Sequence, residues 1–145
     1  MSEIPIHNQN PLEIYTDGAA RGNPGSAACA FLFVHQNKIT FKDALFIGNT
    51  TNNIAEYNAI IEALKRAEKN YSGLVHLFSD SNLAIQQINN KWKVNYPHLL
   101  KLRSEVHQLS KKFESVEFFH VPRDNYYIQV CDKMCNKRLD ANIKE

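Results

Sequence analysis

The hydrophobic period of this chain shifts after residue 47, and that shift narrows the folds open to it. Up to residue 47 the apolar residues come in strand-like runs, LEIYTD (12–17), AACAFLFVH (27–35) and KITFKDALFI (38–47). Gln36-Asn37 joins the last two as a tight hairpin turn, and ARGNPGS (20–26) supplies dense turn chemistry before them. After GNTTN the period lengthens. Ile54, Tyr57, Ile61, Leu64 and Ala67 sit three or four apart, which is one face of an amphipathic helix. Strand and helix then alternate. LVHLFS (74–79) reads as a strand and Ser81 to Asn89 as a helix. Leu99, Leu102, Val106, Leu109 and Phe113 form the apolar stripe of a further helix that opens at Pro97. The stripe is too short for a coiled-coil seam, so core burial explains it. VEFFHV (116–121) is a fifth strand, ended by Pro122, and a last helix is expected from about Val130 to Asp140. Two early hairpins followed by alternation predict an α/β fold: a five-stranded mixed sheet flanked by helices.

No repeat, low-complexity stretch or Gly/Pro/Ser-rich linker divides the 145 residues. Residues 1–10 read as a loose N-terminal segment and 11–145 as one domain. An apolar fraction of 43% and a charged fraction of 22% are globular values, which exclude a collagen-like, disordered or disulfide-stapled chain. No apolar run is long enough to span a bilayer, and the polar start MSEIPIHNQN lacks the features of a signal peptide. Three cysteines without an export signal imply reduced thiols and a cytoplasmic setting. Cys131 and Cys135 are one helical turn apart, but no second close pair accompanies them, so packing rather than zinc binding is expected.

The predicted strands place chemistry at one rim. If the strands ending at Asp17 and Asp80 both lie in the parallel part of the sheet, both acids stand at strand carboxyl ends, where open α/β sheets build their sites. Glu56, in the first turn of the crossover helix, joins them if that helix starts at the same rim. Three carboxylates with no Lys or Arg within two residues in sequence suit a hard divalent cation. Each also has a local explanation. Asp17-Gly18 is a turn pair, Asn53-Ile54-Ala55-Glu56 resembles a capping box, and Asp80 or Ser81 suits a helix N-cap. Their joint arrival at one edge is what favours a site.

The stretches YTDGAARGNPG (15–25), NNIAEYNAIIEAL (52–64) and LFSDSNLAI (77–85) resemble type 1 ribonuclease H in order and spacing. FFHVPRDN (118–125), followed by a helix with an early Asp, continues the match, which spans nearly the whole chain. The resemblance implies the ribonuclease H-like fold and an endonuclease that cuts the RNA strand of RNA–DNA hybrids, leaving 5′-phosphate and 3′-hydroxyl ends. It implies two Mg²⁺ ions, with Mn²⁺ able to substitute. Asp17 would bridge both, Glu56 and Asp80 would hold the ion on the leaving-group side, and Asp132 would complete the ion that activates water. By the same resemblance Asn23, Asn52 and Asn53 contact the minor groove, the backbone of Ala20, Arg21 and Gly22 lies beside the RNA ribose, and Thr51 joins a pocket for a DNA phosphate. An amide both donates to and accepts from a 2′-hydroxyl, so these residue types suit the task. Without the resemblance they read equally well as turn and cap residues.

The chain departs from the family in three places. The loop VPRDNYYIQVCD (121–132) lacks the histidine that aids product release or proton transfer in many relatives; Arg123 stands there instead, and His120 reads as a sheet residue. The approach to the fourth carboxylate is atypical. Asp132 is the assignment, Asp124 the fallback, and Asp140 falls too late in the helix. The basic handle of many relatives is missing, because only Asn90 to Tyr96 separates the two middle helices. Residues 91–112 nevertheless hold six basic residues against one acid. Lys91-Trp92-Lys93 interleaves charge with an aromatic ring, which suits backbone contact and stacking, whereas Lys111-Lys112 reads as a solvated face. With 17 basic and 15 acidic residues overall, nucleic-acid contact has to rest on such clusters. The resulting expectation is a monomeric, metal-dependent ribonuclease H acting on RNA–DNA hybrids. A nuclease for double-stranded RNA or DNA, and a non-catalytic nucleic-acid-binding module, are the rivals.

Overall fold

The computed structural model describes residues 10–143, so the segment expected to be loose lies, apart from Asn10, outside the described residues. The elements are β1 (Leu12–Gly22), β2 (Gly25–His35), β3 (Lys38–Thr50), α1 (Asn52–Ala67), β4 (Leu74–Ser79), α2 (Asn82–Ile88), α3 (Pro97–Ser110), β5 (Ser115–His120) and α4 (Tyr126–Ile143). The sheet order is β3-β2-β1-β4-β5. The first three strands are antiparallel, and β4 and β5 join parallel to β1, giving the mixed five-stranded sheet the alternation predicts.

Strand alternation sorts the core into two layers. Leu12 and Ile14 of β1 and Phe31 and Phe33 of β2 face α1 and α3, where Tyr57, Ile60, Leu64, Val106 and Leu109 close over them. Tyr15 of β1 and Ala28, Ala30 and Leu32 of β2 face the opposite way, onto Ile128, Cys131, Cys135 and Leu139 of α4. Small residues bring α4 down onto the sheet backbone, with Cys135 Sγ 3.7 Å from the Ala28 carbonyl. All three cysteines are buried and free, and Cys131 and Cys135 belong to the layer packed between α4 and the sheet.

Two of the boundaries that differ from the sequence expectation bear on the site. β1 does not end at Asp17; it continues to Gly22, because Gly18, Ala19 and Ala20 stay paired with Cys29, Ala28 and Ala27. Its parallel pairing with β4 stops at Thr16 and Ser79, so Asp17 still marks the end of the parallel part of the sheet. α4 starts at Tyr126, earlier than expected, because Asn125 Oδ1 accepts the backbone N–H groups of Tyr127 (3.0 Å) and Ile128 (3.2 Å) and caps it. Asp132 is consequently the seventh residue of that helix and not an early one.

Candidate active site

Three elements deliver one carboxylate each to a single rim. Asp17 leaves β1 where the parallel pairing stops, and Asp80 follows the last residue of β4. Glu56 reaches across from α1 and accepts a hydrogen bond from the Gly18 N–H at 3.0 Å. That reach depends on Gly18, since a Cβ there would collide with the backbone of Ala55. Oxygens of Asp17, Glu56 and Asp80 all lie within 4.8 Å of one another.

The local explanations of these acids do not hold. Asp17-Gly18 lies inside a strand, so it is no turn. Glu56 is in the second turn of α1 and bonds to β1, so the capping box is not formed; Thr51 caps α1 instead by accepting from the Ile54 N–H. Ser81 caps α2 by accepting from the Ala84 N–H at 3.2 Å, which leaves Asp80 without that role.

Crowding and burial act on the protons. Burial, then the charges of Asp80 and Asp132, raise the Asp17 pKa to about 8, with Arg123 and the Gly18 N–H opposing. Burial, then Asp17 and Asp80, hold Glu56 well above the usual carboxylate range. Asp80 Oδ1 is buried with no hydrogen-bond partner among the described residues. A carboxylate oxygen left that way in a cluster of hard oxygen donors matches a divalent cation, which would satisfy it and offset the repulsion.

The cluster opens into a cleft of about 290 Å³ lined by Asp17, Asp80, Arg123, Ile128, Gln129, Asp132 and Lys133. Asp132 thus shares the cleft with Asp17 and Asp80 while standing outside the tight trio, on the exposed wall made by α4. Asp124 is exposed in the preceding turn and does not line it. Arg123, whose side chain is 94% exposed, brings Nε to 3.8 Å from Asp80 Oδ2. Sequence neighbours had left these acids without a cation; the fold supplies one. His120 ends β5 and, by alternation, is on the opposite face from Phe119. Gln129 and Lys133 carry no site signal in the sequence, where the last helix is expected only from about Val130, one residue past Gln129. Asn125 ahead of Tyr126 was the cap signal that would have put Gln129, Asp132 and Lys133 on one helical face.

The residues expected near the RNA strand form a second group beside the trio. Asn52 Oδ1 accepts the Ala20 N–H (2.9 Å), and Asn23 Oδ1 accepts the Asn52 N–H (3.0 Å), which ties the β1–β2 hairpin to the start of α1. Each carbonyl spends one lone pair on backbone, which leaves the amino group and a second lone pair for a ligand. Gly22 supports the hairpin tip with φ of 100°. Asn53 is exposed in the first turn of α1. The Arg21 side chain is drawn to α4, where it pairs with Asp140 at 2.8 Å. Lys91, Trp92 and Lys93 are exposed in the α2–α3 connection, outside the cleft lining. Gln87 holds that connection in place, donating to the Lys93 carbonyl (3.2 Å) while accepting from the Tyr57 hydroxyl (2.8 Å).

The family described as reverse transcriptase-like matches residues 15–137. A protein named ribonuclease H from Caldanaerobacter subterraneus is 33% identical over 96% of this chain and 97% of its own length. The chain belongs to the ribonuclease H family. A solved ribonuclease H1 isolated from compost, in complex with an RNA/DNA hybrid, superposes with a TM-score of 0.84 at 30% identity, covering 91% of this chain and 99% of that one. A mycobacterial relative named as a bifunctional protein, from Mycobacterium tuberculosis, is 34% identical over 88% of this chain. The chain spans about a third (35%) of the length of the curated mycobacterial relatives it matches.

Proposed function

We propose that residues 11–145 are the catalytic unit of an endonuclease that hydrolyses the RNA strand of RNA–DNA hybrids, leaving 5′-phosphate and 3′-hydroxyl ends. The observation that carries this is the convergence of Asp17, Glu56 and Asp80 on one rim, with a buried carboxylate oxygen that has no partner among the described residues. A similar protein solved with an RNA/DNA hybrid supports the substrate class. Asp17, Glu56 and Asp80 would hold one divalent cation, and Asp17 with Asp132 a second. Mg²⁺, with Mn²⁺ able to substitute, would supply charge stabilisation at the entering and leaving oxygens of an in-line displacement.

The chain's own groups divide the remaining work. The amino groups of Asn23, Asn52 and Asn53, with the backbone of Ala20, Arg21 and Gly22, read the 2′-hydroxyl that separates RNA from DNA. The Thr51 hydroxyl, already accepting from Ile54 N–H, is still free to donate to a DNA phosphate. Lys91 and Lys93 track the backbone and Trp92 offers a ring for stacking. Arg123 brings positive charge to the cleft where many relatives carry a histidine. The chain is taken to work as a monomer in the cytoplasm, where three buried free thiols stay reduced. Among the described residues no helix is long and apolar enough to cross a membrane.

The test is incubation with end-labelled RNA–DNA hybrid, double-stranded RNA and double-stranded DNA, each with Mg²⁺ or EDTA, beside the Asp17→Asn variant. Cleavage of the hybrid's RNA strand in Mg²⁺ alone, lost in Asp17→Asn while unfolding stays cooperative, is the expected result. Equal cutting of either other duplex would move the substrate class, and binding without cleavage would leave a nucleic-acid-binding module.

A further inference from the structure

The sheet face that carries Asp17 and Asp80 is not fully covered by α4, and the open part is aromatic. Tyr15, Phe78 and Phe119 are register partners across β1, β4 and β5, so they form one row across three strands. Asp17 and Asp80 each follow their aromatic by two residues and share its face, so the row lies one step below the carboxylates. Tyr15 stacks on Phe78 (4.7 Å, 14°), and Phe78 stacks on Phe119 (5.3 Å, 24°). Tyr127 of α4 packs over Tyr15 at 4.7 Å, and Tyr126 stands edge-on to Tyr127 at 5.2 Å. Tyr126 and Phe119 remain 69% and 37% exposed.

Two features say what would cover such a face. The row is continuous with the cleft, because Ile128, which lines it, packs in one cluster with Tyr15, Phe78 and Tyr127. Its cleft end carries cations, Arg123 in the loop before Tyr126 and Lys133 further along α4. Beyond the cleft carboxylates Asp17, Asp80 and Asp132, the acids Glu13 and Glu117 border its far end and are engaged with the Tyr15 hydroxyl and with His76. A phosphate of a ligand leaving the cleft along this face would therefore pass Arg123, the most exposed cation of the cleft, and then the exposed rings. Ring faces beside a phosphate-attracting charge suit unpaired nucleotides, since every base presents a π-face that an aromatic side chain can stack on.

We propose that Tyr126 and Phe119, supported by Tyr127, Phe78 and Tyr15, form a stacking platform for single-stranded nucleotides that continue from a duplex held in the cleft. The inference rests on the hybrid-cleaving function proposed above and adds a preference for hybrids with an unpaired tail. The test compares binding of a blunt hybrid with hybrids bearing tails of about six nucleotides on each end of each strand. The Asp17→Asn protein is used to prevent cutting, and affinity is read by fluorescence anisotropy. At least one tail is expected to tighten binding about fivefold or more, the effect of stacking one base. The gain should vanish in Tyr126→Ala/Phe119→Ala and persist in Tyr126→Phe, which keeps the ring. Equal affinity for blunt and tailed hybrids would overturn the platform, as would a tail preference that survives the double substitution. A dimer that the same substitutions dissociate would assign the face to a second copy of the chain and also overturn it. Failure to bind the blunt hybrid at all would instead remove the underlying function, and the platform with it.

Discussion

Asp132 and Asp124 differ by eight positions, but a cap separates their roles. Asn125 starts the helix between them, so Asp124 stays in an exposed turn while Asp132 reaches the cleft. Asp132→Asn is therefore expected to lower hybrid cleavage by orders of magnitude and Asp124→Asn to change it little; initial rates in Mg²⁺ check this, and the reverse ranking would make Asp124 the fourth ligand. The buried acids predict a pH dependence for the metal-free protein. Asp17 is raised to about 8 by burial and by its acidic neighbours, and Glu56 is raised as well. A carboxyl whose folded pKa lies above its unfolded value of about 4 contributes stability that is complete below that value. The contribution is lost as pH climbs through the folded pKa. In EDTA the melting temperature should thus fall between about pH 5 and pH 8. Mg²⁺ should restore more of it at the higher pH, where fewer protons compete for the oxygens. A melting temperature in EDTA that rises across this interval would contradict the crowding of unpartnered acids.

At the scale of elements, α4 carries two burdens. Its inner side packs Ile128, Cys131, Cys135 and Leu139 on the sheet, and its outer edge presents Gln129, Asp132 and Lys133 to the cleft. Asn125→Ala removes the acceptor for two N–H groups of its first turn and is expected to cost about 1 kcal/mol of stability. Cleavage should slow as well, because Asp132 hangs from that helix. Denaturant unfolding beside initial rates measures both, and unchanged stability would mean water replaces the cap. The remaining helices were more legible. The three-and-four spacing of Leu99, Leu102, Val106, Leu109 and Phe113 marks a stripe that does pack in the core. α1 exceeds its visible face: Ala55, Ala59, Ile60 and Ala63 are buried too, since α1 lies between the sheet and α3.

Over the whole molecule, a net charge of +2 conceals local contrast: a buried acidic rim, and exposed Lys91 and Lys93 on a connection anchored through Gln87. Replacing both lysines with Gln should weaken hybrid binding and reduce the slope of log K against log salt by up to about 2. A slope that does not move would make those lysines solvent groups only. The sequence by itself determined the order of elements and which residue types could do the chemistry, because hydrophobic period and turn residues act over a few positions. It also carried Asp17, Glu56 and Asp80, through motifs that keep their spacing. Tertiary structure decided what depends on residues far apart in the chain. Glu56 turned from a possible cap to the Gly18 N–H, 38 positions away. Arg123 met Asp80 across another 43 positions, and Tyr15, Phe78 and Phe119 became one row. Such contacts follow from sheet register and from how close α1 and α4 can approach it, and pairing over those distances leaves no local pattern to read.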